Sequence, residues 1–419
     1  MHTSKTALPI LENVPLAPFT TLGIGGPARY LFHARTEEQI LDALEFARAR
    51  SCPVFVLGGG SNILVSDSGF PGLVIKIELP GIDALDAERG RISAAAGVEW
   101  DAFVQYCVDR DLAGIECLSG IPGTVGGAPV QNIGAQGADV QEVITQVRAL
   151  DRYDLKLVEV GTADCRFAYR SSIFNTTHKD RYVILRVDFV LRTDGKPRLL
   201  YADLQQRFTH RVEPPKLSEV REAVLEIRKA KSMVLSENDP DGKSAGSFFK
   251  NLILDQNSVS ILEAEARASG RLNSSESIPR FAAGPGKEKL PAAWLIEHAG
   301  FPKGYTHHNA GISSKHALAL VNRGGATARD ILELMRMIQD CVQLVFGVEL
   351  QPEPVFVGFG EDRSQEPGVG SRQSTVDSRS GLQTIPVMGK TNPGSVAVSA
   401  AHRMKKLNRR RISQVLSEH

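Results

Sequence analysis

Pro53-Val54-Phe55-Val56-Leu57-Gly58-Gly59-Gly60-Ser61-Asn62-Ile63-Leu64-Val65 reads as a short β-branched strand, a triple-glycine loop and a second apolar strand. A dinucleotide fingerprint of the Rossmann kind needs its glycines to open a helix whose first turn faces the pyrophosphate. Here the glycines join strand to strand, which disfavours that fold. Three glycines followed by Ser61 and Asn62 can still expose successive backbone N–H groups to an anion, forming a nest for phosphate oxygens. An ordinary tight turn has the same local sequence, so the loop alone leaves both readings open.

Upstream, Thr36-Glu37-Glu38-Gln39 has the spacing of a capping box, and Ile40, Leu41, Leu44 and Ala47 recur at helical period to about Arg50. Downstream, a strand is expected near Arg91–Ala96 and an amphipathic helix near Trp100–Leu112. A second glycine-rich stretch, Gly120-Ile121-Pro122-Gly123-Thr124-Val125-Gly126-Gly127-Ala128-Pro129-Val130-Gln131-Asn132-Ile133-Gly134-Ala135-Gln136-Gly137, leaves so much bare backbone that something large and flat, or a diphosphate, is expected against it. Strands dominate from about Val147 to Leu200, with Asp194-Gly195 as a hairpin turn signal. Helical periodicity returns over Leu217–Lys231 and over Thr327–Phe346, the latter closed by Gly347. These two bracket a C-terminal α+β domain, so the fold class is α+β. Beyond about Gly360 the composition turns to Ser, Gly, Pro and Gln and ends in the basic run Lys405–Arg411, which predicts a disordered tail over 360–419.

At 419 residues the chain exceeds what one core usually serves, and two or three domains are expected. Lys plus Arg is 49 against Asp plus Glu at 48, a balance that argues against a nucleic-acid or anionic-membrane footprint. No export signal and no long uninterrupted apolar run is present, so a cytoplasmic protein is expected. The five cysteines (Cys52, Cys107, Cys117, Cys165, Cys341) are scattered, without C-x-x-C spacing, and suggest neither disulfides nor zinc. The pair His307-His308 lacks a supporting carboxylate spacing, and no metal is expected.

Chemistry concentrates in Ser244-Ala245-Gly246-Ser247-Phe248-Phe249-Lys250-Asn251, which sets a hydroxyl, an ammonium and an amide close together beside a glycine and paired aromatics. No G-x-S-x-G elbow surrounds Ser247. Its hydroxyl can be a nucleophile, a proton donor or the hydrogen-bonding partner of a turn.

Taken in order, Thr21-Leu22-Gly23-Ile24-Gly25-Gly26-Pro27-Ala28, Gly58–Asn62, Gly120–Gly137, Tyr169-Arg170-Ser171-Ser172-Ile173-Phe174 and Gly246–Asn251 resemble the UDP-N-acetylenolpyruvoylglucosamine reductase family of bacterial cell-wall flavoenzymes. The resemblance runs from about Pro15 to Gly358. It implies an irregular N-terminus at 1–15, and an FAD-binding domain of the vanillyl-alcohol-oxidase (PCMH) type at 16–205, in subdomains of about 16–75 and 76–205. A substrate domain at 206–359 would follow. FAD, held non-covalently, would take Gly58, Gly59, Gly60, Ser61 and Asn62 at its pyrophosphate, and Gly123, Gly126, Gly127, Gln131, Asn132 and Gly134 along the pyrophosphate and isoalloxazine.

The implied reaction uses NADPH, through the flavin, to reduce the enolpyruvyl ether of a UDP-sugar to the lactyl ether of UDP-N-acetylmuramic acid, for peptidoglycan synthesis. Hydride addition to a double bond conjugated to a carboxylate builds negative charge that must be stabilised and then protonated. The resemblance assigns stabilisation to Arg170 and Glu353, the latter expected to be protonated, and proton donation to Ser247. It assigns substrate contacts to Tyr201, Lys231 and Asn251, and the spacing from Arg170 to Tyr201 matches the family's type I members. Gln136 stands where the family often has tyrosine, and Leu252 where proline is usual. A monomer is expected, with a UDP-sugar as its small-molecule partner and neither nucleic acid nor membrane. The competing readings are another flavin oxidase or dehydrogenase of the same fold, acting on an alcohol or sugar, and a flavin-binding scaffold.

Overall fold

The computed structural model describes residues 8–236, 238–273 and 275–360. The predicted tail, with its basic run Lys405–Arg411, lies outside the described residues apart from Gly360. The chain divides into two compact units: Met1–Phe248 with Lys303–Ile331 and Glu353–Gly358, and Phe249–Pro302 with Leu332–Pro352 and Phe359–His419. This differs from the contiguous 16–205 and 206–359 division read from sequence. Two late segments, Lys303–Ile331 and Glu353–Gly358, belong with the first unit, and so does the helix Leu217–Ala230.

In the first unit a four-stranded sheet has the order Leu11–Pro15, Pro27–Ala34, Phe70–Ile77, Val54–Leu57. Its first pairing is antiparallel and the other two are parallel. The first strand corrects the expected irregular N-terminus. Leu-Glu-Asn-Val-Pro has no apolar alternation, and it is held as an edge by backbone pairing such as Leu11 with Leu31. Helix Glu37–Ala49 buries Ile40, Ala43, Leu44 and Ala47. Thr36 caps it by accepting from Gln39 N, but Gln39 Oε1 accepts from Arg35 N, so only half of the expected capping box forms.

A five-stranded antiparallel sheet runs Leu157–Gly161, Ile144–Asp151, Tyr182–Val190, Arg91–Ala95, Ile82–Asp86. Helix Trp100–Val108 sets Trp100, Phe103, Val104 and Cys107 into the core, and ends short of the predicted Leu112. Phe103 meets Phe189 at 4.7 Å between ring centroids, and Trp100 Nε1 donates to Leu118 O at 3.0 Å. Each fully buried phenylalanine contributes about 1.5–3 kcal/mol through burial. The expected hairpin at Asp194-Gly195 is absent. Asp194 instead closes a local turn by accepting from Lys196 N, and Arg192 exchanges backbone bonds with Ala113 at 2.8 and 2.9 Å.

Three smaller sheets complete this unit's framework, one of them the antiparallel pair Gly134–Ala135 and Ala138–Asp139 within the second glycine stretch and just after it. Val355–Val357 pairs in parallel with Ile63–Val65, the strand that leaves the triple-glycine loop, and Thr306–His307, Ala310–Ile312 and Leu320–Asn322 form an antiparallel set. His307 and His308 lie with ring centroids 4.3 Å apart. In the second unit, antiparallel strands Leu252–Asp255, Lys287–Leu290 and Phe281–Ala282 accompany helices Gln256–Ala268 and Ala292–His298. The helix Ala328–Phe346 contributes everything beyond Ile331 to this unit and ends at Gly347, whose φ of 72° suits a glycine helix stop.

Candidate active site

The two glycine-rich segments meet backbone to backbone. A Cβ on Gly59 would lie 2.5 Å from Gly123 Cα, one on Gly58 2.9 Å from Thr124 Oγ1, and one on Gly123 3.0 Å from Ser61 Oγ. Only bare backbone permits so close an approach. Gly60 takes φ +64° and its carbonyl accepts from Thr21 N at 3.1 Å. The N–H groups of Gly59, Gly60, Ser61 and Asn62 have no hydrogen-bond partner among the described residues. A row of unspent backbone donors is the anion nest that the sequence left undecided.

Arg170 stands in a tight turn at φ 52°, with Asn175 Nδ2 donating to its carbonyl at 3.2 Å. Its Nη2 donates to Gly134 O at 2.7 Å and its Nη1 to Asn132 O at 3.4 Å, which seats the guanidinium on the second glycine stretch. Glu353 comes from the other side. Its N–H donates to Phe248 O at 2.9 Å, its carbonyl accepts from Asn62 Nδ2 at 3.3 Å, and Val355 N donates to Asn62 O at 2.9 Å. Glu353 Oε1 lies 3.1 Å from Arg170 Nε, with the two side chains 9% and 20% exposed. Asn62 Nδ2 also donates to Gln131 Oε1, which links the two loops.

Ser247, half-buried, sits between Gly246 at φ 74° and Phe248, whose N–H donates to Leu318 O at 2.7 Å. It is therefore one residue from the backbone bond that carries Glu353. The three predicted catalytic residues belong to one unit and are tied together by the Asn62, Phe248 and Arg170 contacts. The protonated Glu353 expected from burial meets an opposing influence, since a guanidinium at this distance favours a carboxylate anion.

Arg170 Nε is off-line for a hydrogen bond to that carboxylate, so its N–H is buried and unspent. Thr124 Oγ1, Gln136 Oε1 and Arg228 Nε are likewise buried without hydrogen-bond partners among the described residues. Burial pulls the Arg228 guanidinium down to about 10, with Asp101 opposing and Arg170 adding to the effect. Asn132, Gln136 and Arg170 all hold positive φ without being glycine, a concentration of costly backbone that functional sites tolerate. Unspent amides, buried polar atoms and glycines that exclude a Cβ match what a flavin dinucleotide needs: donors for a diphosphate, and bare backbone for a flat ring.

Behind this surface, Arg221 grips Asp101 through two bonds of 2.6 and 2.7 Å, and Asp101 Oδ1 accepts from Gly120 N at 2.6 Å. Burial alone would push the Asp101 carboxyl up, but Arg221 and the Gly120 N–H hold it below its usual range. Asn132 spends its side chain on scaffold, donating to Ala168 O at 3.0 Å and accepting from Gln141 N at 3.1 Å.

The predicted substrate contacts are distributed unevenly. Tyr201, 43% exposed, precedes helix Ala202–Phe208, and Lys231 Nζ reaches Asp203 Oδ2 in that helix at 3.7 Å. Asn251 belongs to the second unit, where its Oδ1 accepts from Ala292 N at 3.0 Å. Sequence reasoning missed Arg228 and His316. Burial, with Lys231, Lys303 and Arg228 nearby, pushes the His316 imidazole down to about 4, so it stays neutral. It also missed Asp241, which accepts from Ser313 Oγ at 3.0 Å and from Ser314 N and Oγ at 2.7 Å. No local pattern marks these residues, because their states arise from burial and distant neighbours.

Comparison with known proteins agrees with this geometry. Residues 28–161 match the family described as FAD binding domain, and residues 238–357 match UDP-N-acetylenolpyruvoylglucosamine reductase, C-terminal domain. The chain is 44% identical over 352 residues to the UDP-N-acetylenolpyruvoylglucosamine reductase of Thermobifida fusca (strain YX), covering 83% of this chain and 98% of that protein. It is 43% identical over 360 residues to the Streptomyces coelicolor protein of the same name, covering 85% and 92%. A solved structure of UDP-N-acetylenolpyruvylglucosamine reductase from Thermus caldophilus superposes with a TM-score of 0.55 at 26% identity, over 84% of this chain and 99% of that one. On these grounds the chain belongs to the UDP-N-acetylenolpyruvoylglucosamine reductase family.

Proposed function

We propose that this chain reduces the enolpyruvyl ether of UDP-N-acetylglucosamine to UDP-N-acetylmuramate, with FAD as cofactor and NADPH as electron source. The observation that carries the assignment of roles is the Arg170–Glu353 pair, joined through Asn62 to the first glycine loop and through Gly134 to the second. When bound, FAD supplies the hydride that NADPH provides.

Arg170 grips the substrate carboxylate through its unspent Nε–H and holds the charge that develops there. The fork is pre-oriented by Gly134 O and Asn132 O, so little reorganisation accompanies the reaction. A carboxylate arriving on Arg170 competes for the cation beside Glu353 and sets a second anion near it. Both effects favour Glu353 in its protonated form, able to donate a hydrogen bond to the growing anion. Ser247 delivers the proton. An unactivated hydroxyl suffices, because an enolate-like carbon is a stronger base than the alkoxide left on Ser247, which solvent then reprotonates. Lys231, with Tyr201 ahead of helix Ala202–Phe208, engages the diphosphate.

Among the described residues no helix is long and apolar enough to cross a membrane. On this reading the chain acts as a monomer in the cytoplasm on its UDP-sugar. The test is a visible spectrum of the purified protein, followed by anaerobic NADPH and then the enolpyruvyl sugar. NADPH should bleach the flavin and the sugar should restore its colour. In Ser247→Ala the bleaching should persist while restoration slows roughly 10²–10⁴-fold. Restoration by oxygen but not by the sugar would instead indicate an oxidase of the same fold.

A further inference from the structure

A cavity of the first unit opens at the Val54 end of the strand Val54–Leu57, the end opposite the glycine loop, with a volume of about 520 Å³. That is within the usual range for small-molecule sites, roughly 300–1,000 Å³. Val54, Phe55, Phe70 and Phe356 give it an apolar wall, with the Phe55 and Phe70 rings tilted at 6.0 Å. Tyr153, 75% exposed, stands at its rim.

Its charge is lopsided. Arg48, Arg152 and Lys179 line it against the single acid Asp180. Arg152 is anchored on carbonyls, donating to Asp180 O at 2.7 Å and Val54 O at 3.1 Å, and Arg48 Nη2 donates to the carbonyls of Arg152 and Tyr153 at 3.3 and 3.0 Å. Lys179 is exposed. Burial lowers the basicity of Arg152, with Asp180 and Tyr153 opposing it. Cations along a concave, low-dielectric wall focus a field that draws in anions.

We propose that this cavity binds a nucleoside phosphate, its base against Tyr153 and the phenylalanine wall and its phosphate on Arg152 and Lys179. The ring faces suit stacking by a flat base, and a guanidinium beside an ammonium suits phosphate oxygens. None of these side chains takes part in the reduction, so the site is additional to the one described above.

Cys52 lines the cavity and is half-buried, whereas Cys107, Cys117, Cys165 and Cys341 are buried, with thiols that burial pushes up to between about 11 and about 12. A thiol reagent applied to the native, FAD-loaded protein therefore reports on Cys52. Adenosine and uridine monophosphates should each slow its alkylation saturably. Lys179→Glu and Tyr153→Ala, both at exposed positions, should each weaken that protection about tenfold or more, the loss of one good contact. The proposal is overturned if neither nucleotide protects, if inorganic phosphate protects as well as they do, or if protection is unchanged in both variants.

Discussion

Replacing Arg170 by lysine keeps the charge and removes the fork. The native guanidinium spreads its contacts over three nitrogens: Nη2 to Gly134 O at 2.7 Å, Nη1 to Asn132 O at 3.4 Å, and Nε at 3.1 Å from Glu353 Oε1. A single ammonium cannot occupy all three positions. The short bond to Gly134 O is the main structural loss, about 1.5–3 kcal/mol for a charged hydrogen bond. Losing an oriented donor to the developing anion costs roughly 3–4 kcal/mol at the transition state, a slowing of about 10²–10³-fold. The step affected is reoxidation by the enolpyruvyl sugar, since Arg170 acts on the substrate carboxylate. Anaerobic rapid mixing separates the halves: bleaching of the flavin by NADPH should stay within about threefold of the native rate, a shift under 1 kcal/mol, while recovery of colour slows as stated. Recovery at the native rate, in protein that retains its FAD, would refute the role given to Arg170. Equal slowing of both halves would assign Arg170 to holding the flavin instead.

Two further outcomes follow from the same charges. Substrate binding should take up close to one proton per site, measured with an indicator dye in weakly buffered solution, and the uptake should vanish in Glu353→Gln, because a second carboxylate on Arg170 drives Glu353 to its neutral form. His316, neutral with its folded value near 4 against an unfolded 6.5, leaves stability unaffected above about pH 6.5 and reduces it as pH falls from there toward 4, because the unfolded chain binds the proton more readily. The upper bound is about 3 kcal/mol. Denaturant melts at pH 7 and pH 5 should differ less in His316→Gln than in the native protein, and an unchanged difference would refute this account of the imidazole.

The glycine loops were legible because glycine carries backbone meaning: a run of positions without Cβ announces close approach, and Gly59 against Gly123 is that approach. The helices were legible for a similar reason, since Ile40, Leu44 and Ala47 mark a buried face whatever lies beyond it. What could not be read was anything decided at long range. Arg170 and Glu353 were singled out by motif, but nothing in either motif indicates that the two side chains stand 3.1 Å apart. The neutrality of His316 and the clamp at Asp241 come from burial among distant segments. The edge strand Leu11–Pro15 escaped because its pairing uses only backbone, and Asp194-Gly195 misled because a turn signal specifies a reversal without supplying a strand to return.

The parallel pairing of Val355–Val357 with Ile63–Val65 brings Glu353, a residue far along the chain, to the first glycine loop. Synthesis runs from the N-terminus, so a nascent chain has both glycine loops and Arg170 long before it has the acid that faces them. Translation thus makes competence a late event. A product truncated ahead of Glu353 leaves the half-buried Arg170 guanidinium without that counter-charge, a fault that marks an incomplete molecule for quality control.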